Sequence, residues 1–155
     1  MRLQELFRPA DVLVGLDPVD KWDALDRMMS HLALAGRIPA ESAEEMGEAV
    51  LSRERSMSTG MERGLAIPHA AVEGLDEVVA CLGVVSRKGG LNFEGVDASP
   101  TRLIVLLLIP RSQKLVHIRT LADVARVLGN ESVRNSLLEA KTGEEAWHAL
   151  GEGQG

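Results

Sequence analysis

At 155 residues, 45% apolar and 26% charged, the chain has the composition of one globular domain long enough to bury a core. A formal net charge of −6 argues against nucleic acid as a partner, because phosphate backbones are held by basic faces. The single cysteine excludes an internal disulfide and a thiolate metal cluster, and the longest apolar run, Leu103 to Ile109, is far too short to cross a bilayer.

The N-terminus, Met1 to Phe7, lacks the apolar run of a signal peptide, so a cytoplasmic protein without membrane insertion is expected. Asp17-Pro18 predicts a helix start, with the aspartate as cap and the proline at the first helical position. Trp22, Leu25, Met29 and Leu32 recur at steps of three and four as its apolar stripe, and Gly36 ends it. His31, beside that stripe, reads as a helix-surface residue rather than a ligand. A second helix starts near Pro39 or at a capping box running from Ser42 to Glu45. Ala43, Met46, Val50 and Leu51 form its apolar side. Early acids (Glu41, Glu44, Glu45) and late bases (Arg53, Arg55) suit the helix dipole, which explains Arg53 without any further role.

The stretch from Gly60 to His69 follows. Two glycines, Gly60 and Gly64, frame a polar loop, and Pro68 biases Ile67 toward extended backbone, so His69 is delivered stiffly at the end of an extended segment. Imidazole changes charge near neutrality, which suits proton or phosphoryl chemistry at such a place. Val78 to Val85 and Leu103 to Ile109 are apolar runs without alternation, the pattern of strands buried on both faces. Cys81 inside the first is expected to be inert core. Lys88-Gly89-Gly90 and Asp97-Ala98-Ser99-Pro100 are turn chemistry around Leu91 and Phe93. Ser112 or a neighbour opens a helix with Ile118, Leu121, Ala122, Ala125 and Leu128 inward, closed by Gly129, and His117 falls in its first turn at the edge of the stripe. Asn130-Glu131-Ser132 starts a short helix through Leu138, and Thr142 to Glu145 is a capping box for the last one, which carries a solvent-facing His148. Helices alternating with buried strands predict an α/β (α+β) sandwich, a mixed β-sheet flanked by helices in a single domain over 1–150, with a loose tail over 151–155.

Several separated segments resemble one family. Ser58-Thr59-Gly60 with Gly64-Leu65-Ala66-Ile67-Pro68-His69 resembles the active-site signature of fructose/mannitol-type enzyme IIA domains of the bacterial phosphotransferase system. Leu51-Ser52-Arg53-Glu54 is similar to that family's Arg-Glu helix end. Phe93, Asp97 and the stretch from Pro100 to Pro110 match its turn and central strand, and His117 to Ala122 resembles its His-Leu-x-x-Leu segment. The resemblance covers essentially the whole chain, and within the family it is nearest to the stand-alone, nitrogen-type regulatory proteins. Ala70 stands where the family usually has glycine, and Gly60-Met61-Glu62 where it usually has Gly-Ile-Gly.

The resemblance implies the mannitol-type enzyme IIA fold and a phosphoryl relay through a phosphohistidine. His69 would accept the phosphoryl group from an HPr-like phosphocarrier, and His117 would hydrogen-bond the phosphoryl oxygens. Arg53 would balance the added charge, and Thr59 would offer a hydroxyl. No cofactor is implied, and no P-loop or metal-ligand cluster is apparent, since two histidines alone do not make a zinc site. A regulatory target protein or an enzyme IIB would be the other partner, so nitrogen regulation and sugar transport both stay open, as does a binding module that signals without phosphorylation. His69 and His117 are expected side by side in a shallow depression, with Met57, Met61, Leu65, Ala70 and Ala71 as a docking rim.

Overall fold

The computed structural model describes residues 2–153 other than 96 and 98. Two antiparallel strands make its centre, β4 (Val79–Val85) and β5 (Leu103–Pro110), and every residue in both is buried. Their unbroken apolar runs satisfy this demand: both faces of the sheet are covered, so neither can be polar. Strand β1 (Val12–Leu16) adds in parallel to β4, while β2 (Leu65–Ala66) and β3 (His69–Val72) add in parallel along β5. The sheet is therefore mixed, in the order β1-β4-β5-β2, with β3 continuing the edge begun by β2.

Side-chain alternation divides the core into two layers. Ala80, Leu82 and Val84 of β4 and Leu103, Val105, Leu107 and Ile109 of β5 pack with helices α1 (Leu3–Leu6), α4 (Lys114–Leu128), α5 (Glu131–Glu139) and α6 (Gly143–Leu150). Cys81 and Val85, with Ile104, Leu106 and Leu108, pack on the opposite face with α2 (Lys21–Leu34) and α3 (Ala43–Ser56). The expected sandwich is the one observed. Cys81 is fully buried, and burial pushes its thiol far above the ordinary range, as an inert core residue requires.

Several local expectations are corrected. Helix α2 begins three residues after the expected start: Asp20, not Asp17, caps it by accepting from the Asp23 N–H at 2.8 Å. Trp22 is partly exposed, and Lys21, Ala24 and Met28 take the inward positions alongside Leu25, Met29 and Leu32. Ser42 precedes α3 in a helical conformation with no side-chain capping bond, because a 3₁₀ turn over Ala40–Ser42 already leads into the helix. In α4 the buried face is Thr120, Val124, Val127 and Leu128, while Ile118 and Ala122 are exposed. Strand β1 and the short α1 have no counterpart among the expected elements. His31 is not a bare surface residue: its Nε2 donates to Oδ1 of the fully buried Asp11 at 3.0 Å, beside Arg8 and Arg37 on the other oxygen.

The caps of the last two helices hold. Asn130 Oδ1 accepts from the Val133 N–H, and Thr142 Oγ1 from the Glu145 N–H, both at 3.1 Å, although the Glu145 carboxylate reaches back to Lys141 rather than Thr142. Ala98 of the expected 97–100 turn, and Gln154 and Gly155 of the expected tail, lie outside the described residues. Gly151–Gly153 forms a 3₁₀ turn.

Candidate functional site

The segment that delivers His69 is a tight hairpin. Met61 N–H donates to Leu65 O at 2.7 Å, and Ile67 N–H to Thr59 O at 3.1 Å, around a bridge between Gly60 and Ala66. A Cβ on Gly60 would lie 2.5 Å from the Phe93 carbonyl oxygen, so only glycine lets this arm run against the 93–95 backbone. The turn itself needs two left-handed residues, Arg63 and Gly64, and the Arg63 N–H is held by Asp97 Oδ2 at 3.1 Å. Pro68 has no N–H to donate, and this separates β2 from β3, while its carbonyl still accepts from Leu107 N–H at 3.0 Å.

In β3, Ala70 and Val72 belong to the core layer under α3, so alternation sends His69 to the other face, toward α4. There His117, in the first turn of α4, meets it edge-on with ring centroids 5.3 Å apart and planes at 78°. His117 lies three, seven and ten positions before Thr120, Val124 and Val127, so it shares the inward stripe of its helix. The two histidines expected together are together.

The His69 ring is fixed by its own chain: Nδ1 lies 2.7 Å from the Ile67 carbonyl oxygen. A carbonyl can only accept, so Nδ1 carries the proton and Nε2 keeps the lone pair. Desolvation holds the His69 pKa below the ordinary imidazole value, and the charges of Arg53 and His117 act in the same direction. The Ile67 carbonyl and Glu54 pull the other way without prevailing. A neutral ring with one fixed tautomer is a nucleophile at neutral pH.

His69 opens on a depression of about 240 Å³ whose walls include Arg53, Thr59, Gly60 and Leu121. Arg53 sits in the last turn of α3, where its Nη1 donates to the Met57 carbonyl at 3.2 Å. Thr59 is nearly buried, and its hydroxyl donates to Glu54 Oε1 at 2.6 Å. A larger cleft, about 540 Å³ by Lys21, Trp22 and Arg87, contains no histidine, so chemistry rather than size marks the site. Of the expected rim, Met57 is exposed but Leu65 and Ala70 are buried in the sheet; the exposed apolar groups of the first turns of α4 are Leu115 and Ile118. Among the described residues, no three His, Cys, Asp or Glu side chains could hold a metal ion.

One residue quoted in the resemblance was given no role. Glu54 is almost fully buried and accepts from Lys21 Nζ at 3.2 Å, from the Thr59 N–H at 3.0 Å and from the Thr59 hydroxyl. A signal was present: an acid in the last turn of α3 and a lysine opening α2 both oppose their helix dipoles, which needs a reason outside the helix.

Comparison with known proteins finds matches over nearly the whole chain. Residues 5–153 match the family model described as "Phosphoenolpyruvate-dependent sugar phosphotransferase system, EIIA 2". The chain is 28% identical over 142 residues to the "PTS system fructose-specific EIIABC component" of Bacillus subtilis, covering 92% of this chain but only 22% of that protein's length. It is 27% identical over 150 residues to the "Nitrogen regulatory protein" of Pseudomonas aeruginosa, covering 97% of this chain and 95% of the relative. In three dimensions it resembles the crystal structure of nitrogen regulatory protein IIA-Ntr from Neisseria meningitidis, with a TM-score of 0.83, 23% identity, and 96% and 98% of the two chains covered. With a match that runs from the first helix to the end of the last, the chain belongs to the EIIA type-2 family of the phosphotransferase system.

Proposed function

We propose that the protein is a phosphoryl-relay component that takes a phosphoryl group from an HPr-like phosphocarrier onto Nε2 of His69. The observation that carries this reading is the bond from Nδ1–H to the Ile67 carbonyl, which leaves the second nitrogen as the only nucleophile of a desolvated ring. In the transfer, the Nε2 lone pair attacks phosphorus as the P–N bond to the carrier's histidine breaks and its electron pair returns to that imidazole. The His69 ring, now with Nδ1–H and Nε2–P, carries a positive charge that the Ile67 carbonyl partly stabilises. Such transfers depend on positioning and charge stabilisation more than on covalent machinery.

His117 would hydrogen-bond the phosphoryl oxygens, a role supported by its ring standing 5.3 Å from that of His69. Arg53 supplies the cation, and its place on the depression wall supports that part. Thr59 borders the same depression; for its hydroxyl to donate to a phosphoryl oxygen, it must turn away from Glu54. We place this relay in the cytoplasm, with no nucleic acid and no cofactor involved. No helix among the described residues is long and apolar enough to cross a membrane.

The regulatory role is the favoured one, because the Pseudomonas aeruginosa nitrogen regulatory protein matches over 95% of its own length. Sugar transport through a separate enzyme IIB is the second reading, favoured by the fructose-specific relative. Incubation with phosphoenolpyruvate, enzyme I and each HPr-like carrier, followed by addition of candidate IIB proteins, separates them. Label that reaches His69 and stays there supports regulation; label that moves on to a IIB supports transport; no label at His69 from any carrier rejects the relay.

A further inference from the structure

Lys21 and Glu54 form an ion pair at 3.2 Å with both side chains almost out of solvent. Burying two charges is costly unless every remaining polar site is used, and here the carboxylate accepts three hydrogen bonds. Neither residue helps its own helix. Lys21 opens α2 and Glu54 lies in the last turn of α3, each at the end where the dipole disfavours its charge. A local conflict of this kind, kept in a well-packed core, points to a task elsewhere.

The task is visible in the bonds that follow. Glu54 holds the Thr59 N–H at 3.0 Å and its hydroxyl at 2.6 Å. The Thr59 carbonyl holds the Ile67 N–H at 3.1 Å, and the Ile67 carbonyl holds Nδ1–H of His69 at 2.7 Å. The chain runs without a gap from Lys21 to the nucleophilic ring. We propose that Glu54, locked by Lys21, is a positioning residue that sets the tautomer of His69, acting through Thr59 and the Ile67 carbonyl. The proposal rests on the relay reading for its biological use, but not for its geometry. Glu54 bonds to Lys21 and Thr59, and so acts on the His69 ring through Thr59 rather than by contact. It keeps the 57–60 segment where the Ile67 peptide must lie, and so keeps the proton on Nδ1 and the lone pair on Nε2.

A carboxylate is needed because it is acceptor-only and can serve three donors at once. Glutamine has the same size but offers no charge to Lys21, and its NH₂ group either faces the lysine ammonium and the Thr59 N–H or forces the Thr59 hydroxyl to accept instead of donate. Glu54→Gln should therefore release the loop, and ¹⁵N NMR of the imidazole nitrogens should change from one His69 tautomer to a mixture. Phosphoramidate provides a carrier-free reactivity probe: the imidazole nitrogen attacks phosphorus, the P–N bond of the reagent breaks, and ammonia leaves. Its reaction at His69 Nε2 should slow by about tenfold to a hundredfold in Glu54→Gln, as expected for a displaced reacting group. A cooperative thermal transition and unchanged circular dichroism serve as the control for folding.

Thr59→Val, which removes only the hydroxyl link, should show a smaller shift in the same direction, and Thr59→Ser should restore wild-type behaviour. These two carry the test if Glu54→Gln does not fold. Folded Glu54→Gln with the wild-type tautomer and wild-type phosphoramidate reactivity overturns the proposal; so does Thr59→Val with an unaltered tautomer, should it be the variant that folds. A wild type that takes no label from any carrier, with a tautomer that still depends on Glu54, rejects the relay and supports the positioning.

Discussion

At the residue scale, the chemistry of the site is decided by one bond and one environment. The Ile67 carbonyl selects the tautomer, and desolvation keeps the ring neutral. Since the folded protein binds a proton on His69 less readily than the unfolded chain, stability from this group is fully present above the ordinary value of 6.5 and is lost as pH falls below it. Acceptance by Nε2 should accordingly persist as pH drops past 6.5, and a pH–rate profile of carrier-dependent labelling checks this; a profile that falls from neutrality downward with an ordinary imidazole midpoint contradicts it. In the proposed relay His117 stabilises rather than attacks, so His117→Ala should keep measurable labelling while slowing it by roughly 10²-fold or more, the usual effect of losing one donor to developing charge. Single-turnover kinetics with purified phosphocarrier measure that difference, and an unchanged rate removes His117 from the mechanism. The histidine pair was legible through the resemblance, and His69 also stood out because Gly64 and Pro68 punctuate its approach. The charges of Lys21 and Glu54, opposed to their helix dipoles, mark those residues as unusual, but nothing local shows that Glu54, five residues before Thr59, secures that approach.

At the element scale, the legible parts were those where burial leaves no choice. β4 and β5 are covered on both faces, so their Val, Ile and Leu runs admit no other placement. β1 escaped notice because it lies at the sheet edge, is half-exposed and includes Gly15. α4 was read one face off: Ile118 drew the stripe toward itself, while the structure buries Thr120 and leaves Ile118 66% exposed. That rotation is what carries His117 onto the inward line. Three substitutions weigh these elements by urea unfolding. Leu106→Ala, at the sheet centre, should cost about 2–5 kcal/mol through lost burial and a cavity. Asp11→Ala, which strands Arg8, His31 and Arg37, should cost about 3–5 kcal/mol. Asn130→Ala, which loses only the α5 cap, should cost about 1 kcal/mol. An Asp11→Ala protein no weaker than Asn130→Ala would show that the buried carboxylate does not tie the N-terminal segment to α2.

At the scale of the whole molecule, the sheet edge and the start of α4 meet to present two histidines beside exposed apolar side chains. Leu115 and Ile118, within two residues of His117 on α4, are 60% and 66% exposed, and Met57, whose carbonyl accepts from Arg53, is 64% exposed; such side chains suit a protein partner rather than a small substrate. Phosphorylation of His69, as proposed, would add close to two negative charges and three acceptor oxygens there. A partner that buries this rim must either supply cations or reject the phosphorylated form, because a desolvated dianion is costly. Ile118→Glu should therefore weaken carrier-dependent labelling while leaving phosphoramidate reactivity at His69 intact, and equal losses in both would place Ile118 in the fold rather than the interface. All of this depends on where the phosphoryl group goes. The measurement that decides it is ³¹P and ¹⁵N NMR of the protein labelled by phosphoenolpyruvate, enzyme I and carrier, compared with His69→Ala. A single phosphohistidine joined through Nε2 of His69, with no labelling of the folded His69→Ala protein, is the predicted result. A phosphoryl group on His117, on Nδ1 of His69, or on the His69→Ala protein would contradict it.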